Sequence, residues 1–478
     1  MKYTGKIHVV YDGMWGSCGK GKFCGHIALD PQKDINVSVC NNAPNAGHTF
    51  VFDNGQKVVV HQLPIGIVNQ KIKHLVLGEK SVINIDNFIN ELDHYKDLIG
   101  NRKIYICDTA ALVLPLHIER EKQILKTGST FTGSGEALID KIRRKGNIAR
   151  LDNNNITNVE NGEEIGEFNV QLANAHKKMR SLIRSGKIEI VPSKTFFGII
   201  YNGLHGFTGN ENILLEVSQG DGLSLNGSSY PYTTSRDCTP AQAICDIHAV
   251  DYSDNIRKYA VIRLNSIRIN NKPKNDADTY MFTGDFAGAK EISQEKLSRD
   301  AIASWKEMSD RSGVPLKSFL ETEISTTTRQ LRRVSEFSPK QFDEMVFDTK
   351  PDEVLINFAN YINSDIEGLN SEDCICAIKK FESGNFGDKT ANTIRAIANI
   401  EYTVEQLEKL FPRTLKQYTL FGTGAKNNDI INLRSVLKQA QFNPIEEART
   451  LGGTKTPIDY SIENNDPYKS IDDNQFSL

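Results

Sequence analysis

Hydrophobic and polar positions along this chain form two patterns that alternate from the amino terminus to about residue 430. Short apolar runs rich in β-branched residues have the pattern of buried strands, and the amphipathic stretches between them have the period of helices. The predicted strands are "KIHVVYD", "NVSVC", "KVVVHQL", "KHLVLG", "RKIYIC", "ENILLEVS", "KYAVIRL", "DEVLINFAN" and "QYTLFGTG". The predicted helices lie in "NIDNFINELDHYKDLIG", "HIEREKQILKTG", "GEALIDKIRRKG" and "SQEKLSRDAIASWKEMSDRSG". This alternation predicts an α/β fold with a largely parallel central sheet, flanking helices and helical insertions.

Composition narrows the class of protein. No linker divides the 478 residues, so we expect one domain over residues 1–440 and a loosely ordered, apolar-poor tail over residues 441–478. Lys and Arg number 57, and Asp and Glu number 60, for a net charge of −3. This balance argues against nucleic acid or a membrane as a partner and indicates small-molecule substrates. Scattered cysteines, and no apolar run near the ~20 residues of a membrane span, indicate a cytoplasmic protein.

The stretch "MWGSCGKGK", residues 14–22, follows the first predicted strand. Its glycines let backbone N–H groups point into one concavity, and its lysines add positive charge where a helix begins. The spacing differs from GxxxxGK[ST], because no Gly lies five residues before Gly19 and Gly21 stands in place of Ser or Thr. Taken alone, the stretch fits either a phosphate-binding loop or an ordinary tight turn.

Eight further motifs follow the loop in order. They are "NAPNAGHTF", "HQLPIGI", "GSTFTGSG", "DKIRRKG", "EVSQGDG", "YPYTTS", "TTTRQLRRV" and "GTGAKNND". Together with the loop they resemble the adenylosuccinate synthetase family over roughly residues 5–430. This resemblance implies a P-loop-like fold and a homodimeric, Mg²⁺-dependent ligase. In the family, a nucleoside triphosphate phosphorylates the 6-oxygen of a purine nucleotide, and the amine of L-aspartate then displaces that phosphate.

The resemblance also implies roles for the residues that match its motifs. The candidate catalytic residues are Ser17, His48 and Gln219, and the candidate Mg²⁺ ligands are Ser17 and Gly47. Triphosphate contacts are implied for Gly16, Ser17, Cys18, Gly19, Lys20, Gly21, Lys22, Gly47, His48, Thr49, Gly422 and Gly424. Purine nucleotide contacts are implied for Ser17, Asn45, Ala46, Thr130, Gln219, Thr234, Ile269 and Arg144, the last reaching across the dimer interface. Aspartate contacts are implied for Thr326, Thr327, Arg329 and Arg332, and donor-base contacts for Asn357, Phe358 and Asn360.

Ser17 is the first departure from the family pattern. The family loop, GDEGKGK, has an Asp at this point that ligates Mg²⁺ and accepts the proton of purine N1. A hydroxyl is no base at neutral pH without activation, so the chain is either inactive or uses a different purine. The smaller side chain opens room at the C2 edge, where guanine carries an amino group that hypoxanthine lacks. Because carboxylates also bind the guanine edge well, a preference for guanine over hypoxanthine has to come from the volume of the side chain at position 17 rather than from its charge.

Two more departures concern the triphosphate and aspartate. Where the family has TKLD, whose Asp grips the guanine of GTP, this chain has "NFAN", so Asn360 replaces the Asp. One Asn cannot offer two carboxylate acceptors to guanine, a loss of roughly 2–4 kcal/mol, and an adenine donor such as ATP or dATP is expected. In the arginine loop, Arg332 and Arg333 match the family, but the first Arg position holds Gln330.

These departures resemble the phage-type, dGMP-using branch of the family. The expected reaction joins dGMP and L-aspartate, with ATP or dATP, into N6-succino-2-amino-2′-deoxyadenylate for 2-aminoadenine DNA. The chain carries additional length near residues 270–320 and 360–400 relative to compact members of that branch. Two alternatives stay open. One is a conventional GTP-dependent synthetase acting on IMP, with Asp12 or an activated water as base, and the other is an inactive nucleotide-binding paralogue.

Overall fold

The computed structural model describes residues 3–124, 129–151, 163–270, 272–273, 280–292, 301–325, 329–410 and 418–451. The strands are β1 Ile7–Asp12, β2 Ile35–Cys40, β3 His48–Val51, β4 Lys57–Val60, β5 His74–Leu77, β6 Val82–Asn84, β7 Ile104–Cys107, β8 Ala111–Val113, β9 Ile188–Val191, β10 Asn212–Gly220, β11 Ile256–Arg263, β12 Ile267–Arg268, β13 Lys272–Pro273, β14 Tyr280–Met281, β15 Arg333–Val334, β16 Glu353–Asn357, β17 Tyr418–Gly422 and β18 Ile430–Ile431.

The helices connect these strands and cover the sheet. They are α1 Lys20–Leu29, α2 Ile85–His94, α3 Lys96–Ile99, α4 Pro115–Ile124, α5 Ser134–Ile142, α6 Glu163–Arg184, α7 Ser193–Tyr201, α8 Pro240–Asp246, α9 Ile302–Ser312, α10 Leu316–Thr322, α11 Pro339–Thr349, α12 Ser371–Glu382, α13 Asp388–Leu410, α14 Leu433–Ala440 and α15 Pro444–Thr450. None of the helices within the described ranges is both long and apolar enough to cross a bilayer.

Ten strands form the central sheet in the order β18-β17-β16-β11-β1-β10-β2-β5-β7-β9. Every neighbouring pair is parallel except β17 and β18. All six residues of β1, in the middle of the sheet, are buried, as expected for a parallel strand that is covered on both faces. Because parallel strands end at one edge, the loops after β1, β2, β10, β11, β16 and β17 share that edge.

The predicted fold class is confirmed, and most predicted strands lie in the central sheet. The run "KVVVHQL" contributes only Lys57–Val60, which pairs with His48–Val51 in a separate antiparallel hairpin. Strand Ile188–Val191, at the sheet edge, was not predicted; it is short, and only two of its four residues are buried. The last predicted helix begins at Ile302, and residues 293–300 lie outside the described residues.

The additional length forms compact structure where it is described. Helices α9 and α10 surround a second hydrophobic core centred on Trp305, which is fully buried against Phe319 and Tyr361. Helices α12 and α13 pack on the main core through Ile378 and Ile397. Helix α15 follows the predicted domain end at residue 440, and its Ala448 is buried. Residues 452–478, most of the predicted tail, lie outside the described residues.

Gly25 provides a test of how α1 packs beneath the site. A Cβ atom there would lie 2.1 Å from Cδ2 of the Phe50 ring. Gly25→Ala is therefore expected to lower the free energy of unfolding by about 1–3 kcal/mol, although Ala is the better helix former by about 1 kcal/mol. Urea denaturation measures this change. The matched control is Gly198→Ala in α7, where nothing lies within 4 Å of the added atom; stability at or above wild type is expected there. Equal stability of Gly25→Ala and wild type would contradict this packing.

Candidate active site

The loop after β1 is organised by a buried carboxylate. Asp12, the last residue of β1, is 1% exposed. Its Oδ1 accepts hydrogen bonds from the backbone N–H groups of Met14 at 3.0 Å and Gly16 at 3.2 Å, and its Oδ2 accepts one from Cys18 at 2.8 Å. Two N–H groups that the sequence assigned to the triphosphate, those of Gly16 and Cys18, therefore point at Asp12. Both oxygens of Asp12 therefore hold the backbone of the loop.

The same loop exposes a helix N-terminus. Gly16, Ser17 and Gly19 have φ values of 89°, 55° and 83°, and these left-handed conformations let the chain reverse direction into α1. Gly19 is the N-cap of α1 and provides no side-chain cap. The N–H groups of Lys20 and Gly21 have no hydrogen-bond partner among the described residues. Such a terminus is suited to bind a phosphate group.

Lys22 joins the loop to the end of β17. Its Nζ donates to the carbonyl oxygens of Gly424 at 2.6 Å and Asp429 at 2.7 Å. Burial lowers the pKa of Lys22 to about 8. Gly422, the last residue of β17, leaves space beside this contact for Asn357, because a Cβ there would lie 2.0 Å from the Asn357 Oδ1 atom. The predicted triphosphate residues of β17 and of the loop are thus brought together.

Asn357 and Phe358, assigned to the donor base by sequence, contact the loop and its neighbours. The Asn357 amide donates to the carbonyl of Cys18 at 3.1 Å, and a Cβ on Gly19 would lie 1.8 Å from the same amide nitrogen. The Phe358 ring lies 4.2 Å from the Arg263 guanidinium carbon. The Asn357 amide supports the loop, and the half-buried Phe358 ring packs on Arg263. Contact of these residues with a donor base stays a prediction.

Asn360 is placed differently. It follows the strand end by three residues, is mostly buried, and its Nδ2 donates to Oε2 of Glu367 at 2.5 Å. A carboxylate can only accept this hydrogen bond, so the contact fixes which end of the Asn360 amide faces Glu367. The Oδ1 atom of Asn360 then remains as a single acceptor.

His48, the first residue of β3, lies between a cation and an anion. Its Nε2 is 3.2 Å from the Nζ of Lys20, and its Nδ1 contacts the Oε1 of Glu216. Since the ammonium can only donate and the carboxylate can only accept, the imidazole carries its proton on Nδ1 and accepts at Nε2. Burial lowers the pKa of His48, which agrees with a neutral ring.

Glu216 is the functional residue that sequence reasoning missed. It lies within β10 and its side chain is fully buried. Burial opposes its ionisation, but His48 and Lys20 together hold its pKa below the ordinary value. A signal was present in the sequence, because Glu216 is the single charged residue between Ile213 and Gly220 and follows and precedes apolar residues. Buried charges of this kind are paired.

Gln219 and Asn45, predicted to line the purine nucleotide, are in contact. The Gln219 Nε2 donates to the Asn45 Oδ1 at 3.3 Å, and Gln219 adopts a left-handed φ of 63° at the end of β10. Ala46 is buried, whereas Gly47 is exposed next to His48. Thr49 belongs to β3, and a Cβ on Gly21 of α1 would lie within 3 Å of the Thr49 backbone. The hairpin of β3 and β4 therefore packs directly on α1.

The remaining predicted nucleotide residues, Thr130, Thr234, Ile269 and Arg144, lie in other segments of the chain. The Thr234 hydroxyl contacts the carbonyls of Leu223 at 3.1 Å and Arg236 at 3.0 Å. Thr130 and Ile269 are half-buried. Arg144 is exposed, with a φ of 62°.

The arginine loop is held by a third buried carboxylate. Glu323 accepts from Arg263 at 2.9 Å, from the Tyr361 hydroxyl at 2.7 Å and from Arg332 at 3.3 Å. Burial disfavours the charged form of Glu323, yet Arg263 and Arg332 bring its pKa below the ordinary value. Arg332 is thereby oriented, and Arg329 is exposed with a φ of 57°. The remaining predicted aspartate residues, Thr326 and Thr327, lie outside the described residues.

The oxygen atoms around the loop suit a magnesium ion bound mainly through a triphosphate. Ser17 and Gly47 are exposed, and neither the Ser17 hydroxyl nor the Gly47 carbonyl has a hydrogen-bond partner in the described part of the chain. In that part no three His, Cys, Asp or Glu side chains cluster as metal ligands. Mg²⁺ bound with few protein ligands keeps waters and phosphate oxygens in its coordination sphere.

The parallel sheet and the Gly- and Lys-rich loop at the start of α1 define a nucleotide-binding α/β protein. Comparison with known families identifies the chain more specifically than this class. The chain belongs to the adenylosuccinate synthetase family, whose model matches residues 9–273.

Phage proteins are among the similar sequences. The N6-succino-2-amino-2′-deoxyadenylate synthase of Salmonella phage PMBT28 is 30% identical over 76% of this chain and 88% of that protein. The same enzyme of Acinetobacter phage SH-Ab 15497 is 29% identical over 84% of this chain and 94% of that protein. The structure of cyanophage S-2L succinoaminodeoxyadenylate synthetase, bound to dGMP and dATP, matches with a TM-score of 0.61 at 24% identity, covering 91% of this chain and 99% of that chain. At this identity the structural likeness concerns the fold.

Glu216→Gln tests whether the carboxylate positions the His48 ring. The variant keeps the size of the side chain but removes the charge that holds the proton on Nδ1. We expect kcat of the ligase reaction to fall by about 10- to 100-fold, while KM for each substrate stays within about threefold, because the imidazole acts on charge that develops during reaction. Steady-state kinetics measures both constants.

Two controls accompany this variant. His48→Ala should lose turnover altogether and retain nucleotide binding in calorimetry. Glu189→Gln, which removes an exposed carboxylate paired with Lys103, should behave like wild type. An unchanged kcat in Glu216→Gln would show that His48 needs no carboxylate partner.

Proposed function

We propose that this protein is a carbon–nitrogen ligase that converts dGMP and L-aspartate, with ATP or dATP, into N6-succino-2-amino-2′-deoxyadenylate, ADP or dADP, and phosphate. The product serves the synthesis of 2-aminoadenine DNA in a host cytoplasm. The observation that carries the proposal is Ser17, a small and exposed side chain in a loop that is otherwise complete. The phage enzymes to which the chain is similar make this product.

The proposed chemistry has two steps. The N1–H bond of dGMP breaks, its proton passes to solvent, and the 6-oxygen attacks the γ-phosphorus of the triphosphate and releases the diphosphate. The amine of aspartate then attacks C6 and loses a proton to solvent, and inorganic phosphate leaves. Lys20 and His48 converge where negative charge would develop on the 6-oxygen and the transferred phosphoryl group, and Glu216 balances positive charge gained by the ring. Mg²⁺, held by Ser17, Gly47 and phosphate oxygens, would supply charge neutralisation.

Asn360 supports an adenine donor. Its Nδ2 is bound to Glu367, so its Oδ1 offers one acceptor. The 6-amino group of adenine can donate to that single acceptor. Guanine presents its 6-oxygen in the corresponding place, and two acceptors would be needed for its N1 and N2 donors.

A homodimer is part of the proposal. Asp140 is fully buried and binds Arg143 at 3.6 Å and Lys145 at 3.2 Å, together with Arg120 from α4. Arg144 lies between the two bound cations, is exposed and forms no ion pair with any described residue. This arrangement presents Arg144 outward, where it could reach the nucleotide phosphate of a second copy.

One assay matrix tests the function. IMP, GMP and dGMP are each combined with GTP, ATP and dATP, and aspartate-dependent release of inorganic phosphate is measured. The highest kcat/KM is expected for dGMP with ATP or dATP. A preference for IMP with GTP would identify a conventional synthetase. Absence of aspartate-dependent phosphate release from every pair would identify an inactive paralogue.

Ser17→Asp tests the origin of the acceptor preference. Its φ of 55° is one that Asp and Asn tolerate better than most residues, so the loop should persist. Crowding of the C2 edge is expected to raise the transition-state free energy of the reaction with dGMP by about 1–3 kcal/mol, and so to lower kcat/KM for dGMP. Activity with IMP should stay level or rise, because a carboxylate is restored. Competing-substrate kinetics in one enzyme preparation measures the ratio.

Ser17→Asn separates volume from charge in this experiment. It has nearly the size of Asp without its charge, so it should lower activity with dGMP to a similar extent and leave activity with IMP low. If Ser17→Asp used dGMP as well as wild type does, the steric explanation of Ser17 would be wrong.

A further inference from the structure

Backbone hydrogen bonds close the base of the arginine loop, which consists of residues 323–325 and 329–332. The N–H of Ser325 donates to the carbonyl of Gln330 at 2.9 Å, and the N–H of Arg332 donates to the carbonyl of Glu323 at 3.0 Å. The two ends of the loop are therefore joined in the manner of a short hairpin. The backbone of Arg332, implied to contact aspartate, has its place at one end of this base.

Trp305 is a further support of the base and comes from a distant segment. Its indole Nε1 donates to the carbonyl oxygen of Arg332 at 2.8 Å. The side chain is fully buried in α9, and its ring centroid lies 5.0 Å from that of Phe319 in α10. Since an indole has one donor and no acceptor, the packed ring determines where the carbonyl can lie. Both backbone polar groups of Arg332 are thus held.

The guanidinium of Arg332 is directed by the same surroundings. Its Nη1 donates to Oε2 of Glu323 at 3.3 Å, and the other oxygen of Glu323 accepts from the Tyr361 hydroxyl at 2.7 Å. The rings of Tyr361 and Phe319 are 4.7 Å apart, so Tyr361 packs in one unit with Trp305. The Arg332 side chain is 13% exposed. It is therefore oriented and still within reach of a carboxylate.

These rings belong to the second hydrophobic core, which lies mostly in the additional length near residues 270–320. Helices α9 and α10 supply Trp305, Met308 and Phe319 to it, and β15 supplies Val334. Because Val334 follows Arg332 by two residues, the chain is anchored to this core directly after the arginine loop as well. The additional helices therefore support the loop instead of forming an independent module.

We propose that Trp305 is a positioning residue for L-aspartate and that the additional helix α9 serves to fix Arg332. The inference rests on the proposed function for the identity of the amino acid. A guanidinium fork binds a carboxylate most tightly when its orientation is set in advance, because ordering a mobile loop and side chain would cost binding free energy. Trp305 is buried, so it acts through the Arg332 backbone and does not touch the substrate.

Trp305→Phe is the principal test. It keeps an aromatic ring in the core and removes the N–H group that bonds the Arg332 carbonyl. KM for L-aspartate should rise about 5- to 20-fold, with kcat and the KM values for dGMP and ATP within about twofold of wild type. An unchanged KM for aspartate in the folded variant, or an equal rise in all three KM values, would overturn the proposal.

Phe319→Leu is the matched control for a general loss of packing. It removes a ring that contacts Trp305 but no side-chain hydrogen bond to the loop. Its unfolding temperature should fall at least as far as that of Trp305→Phe, while KM for aspartate stays within about twofold of wild type. If Phe319→Leu raises this KM as much as Trp305→Phe does, the effect belongs to core packing and the proposal is wrong.

Two further variants test the route and guard against a folding defect. Site-specific replacement of Trp305 by benzothienylalanine keeps the bicyclic shape and removes only the N–H group, so it should raise KM for aspartate as Trp305→Phe does. If Trp305→Phe does not fold, an unchanged KM in this analogue overturns the proposal. In an Arg332→Lys background, which lacks the fork, Trp305→Phe should raise KM less than about twofold further. Full multiplication of the two effects would show that Trp305 does not act through Arg332.

Calorimetry with L-aspartate, with and without dGMP and in the absence of triphosphate, separates this proposal from the proposed function. Wild type should bind L-aspartate, and Trp305→Phe should bind it at least fivefold more weakly. Should wild type fail to consume dGMP, the proposed function fails, and the titration still reports on Trp305. Equal affinities of the two proteins, or no binding of L-aspartate to wild type in either titration, would overturn the proposal.

Discussion

The three hydrogen bonds to the Asp12 carboxylate are the constraint on which the site depends. They convert the end of a buried central strand into a loop with three left-handed residues, and so direct the N-terminus of α1 toward the edge of the sheet. The close approach requires glycine opposite, since a Cβ on Gly220 would lie 2.3 Å from the Gly16 nitrogen. A phosphate can then be bound by backbone groups that folding has already positioned.

Buried carboxylates recur as supports for functional cations and for the histidine. Glu216 orients His48. Glu323 accepts hydrogen bonds from Arg263, Arg332 and the Tyr361 hydroxyl. A buried charge is unfavourable unless it is paired and hydrogen-bonded, and each of these acids is both. Because the partners come from different strands and loops, correct folding of the sheet is what brings the charges together.

Sequence patterns predicted the parts of the fold that depend on local information. Strand Ile7–Asp12 is apolar because both its faces are covered, and the motif after it therefore lies at the sheet edge. Contacts between distant segments could not be predicted in this way. Asn357 was assigned to the donor base, but its amide bonds the Cys18 carbonyl because β16 ends close to the loop after β1. The partnership of Glu216 with His48 is non-local in the same sense, and only a charge between apolar neighbours in a strand indicated it.

Residue 17 can be substituted because Asp12, and not Ser17, accepts the hydrogen bonds that hold the loop in its conformation. Ser17 is exposed, its hydroxyl forms no hydrogen bond with a described residue, and its left-handed φ suits Asn or Asp more readily than bulky side chains. Replacement there alters the surface offered to a purine without removing a bond that holds the loop. Gly16 and Gly19, on either side, lack this freedom, because a Cβ at Gly19 would meet Asn357 and both residues have positive φ. Within this loop, selectivity can therefore change at one residue while phosphate binding by the neighbouring backbone is preserved.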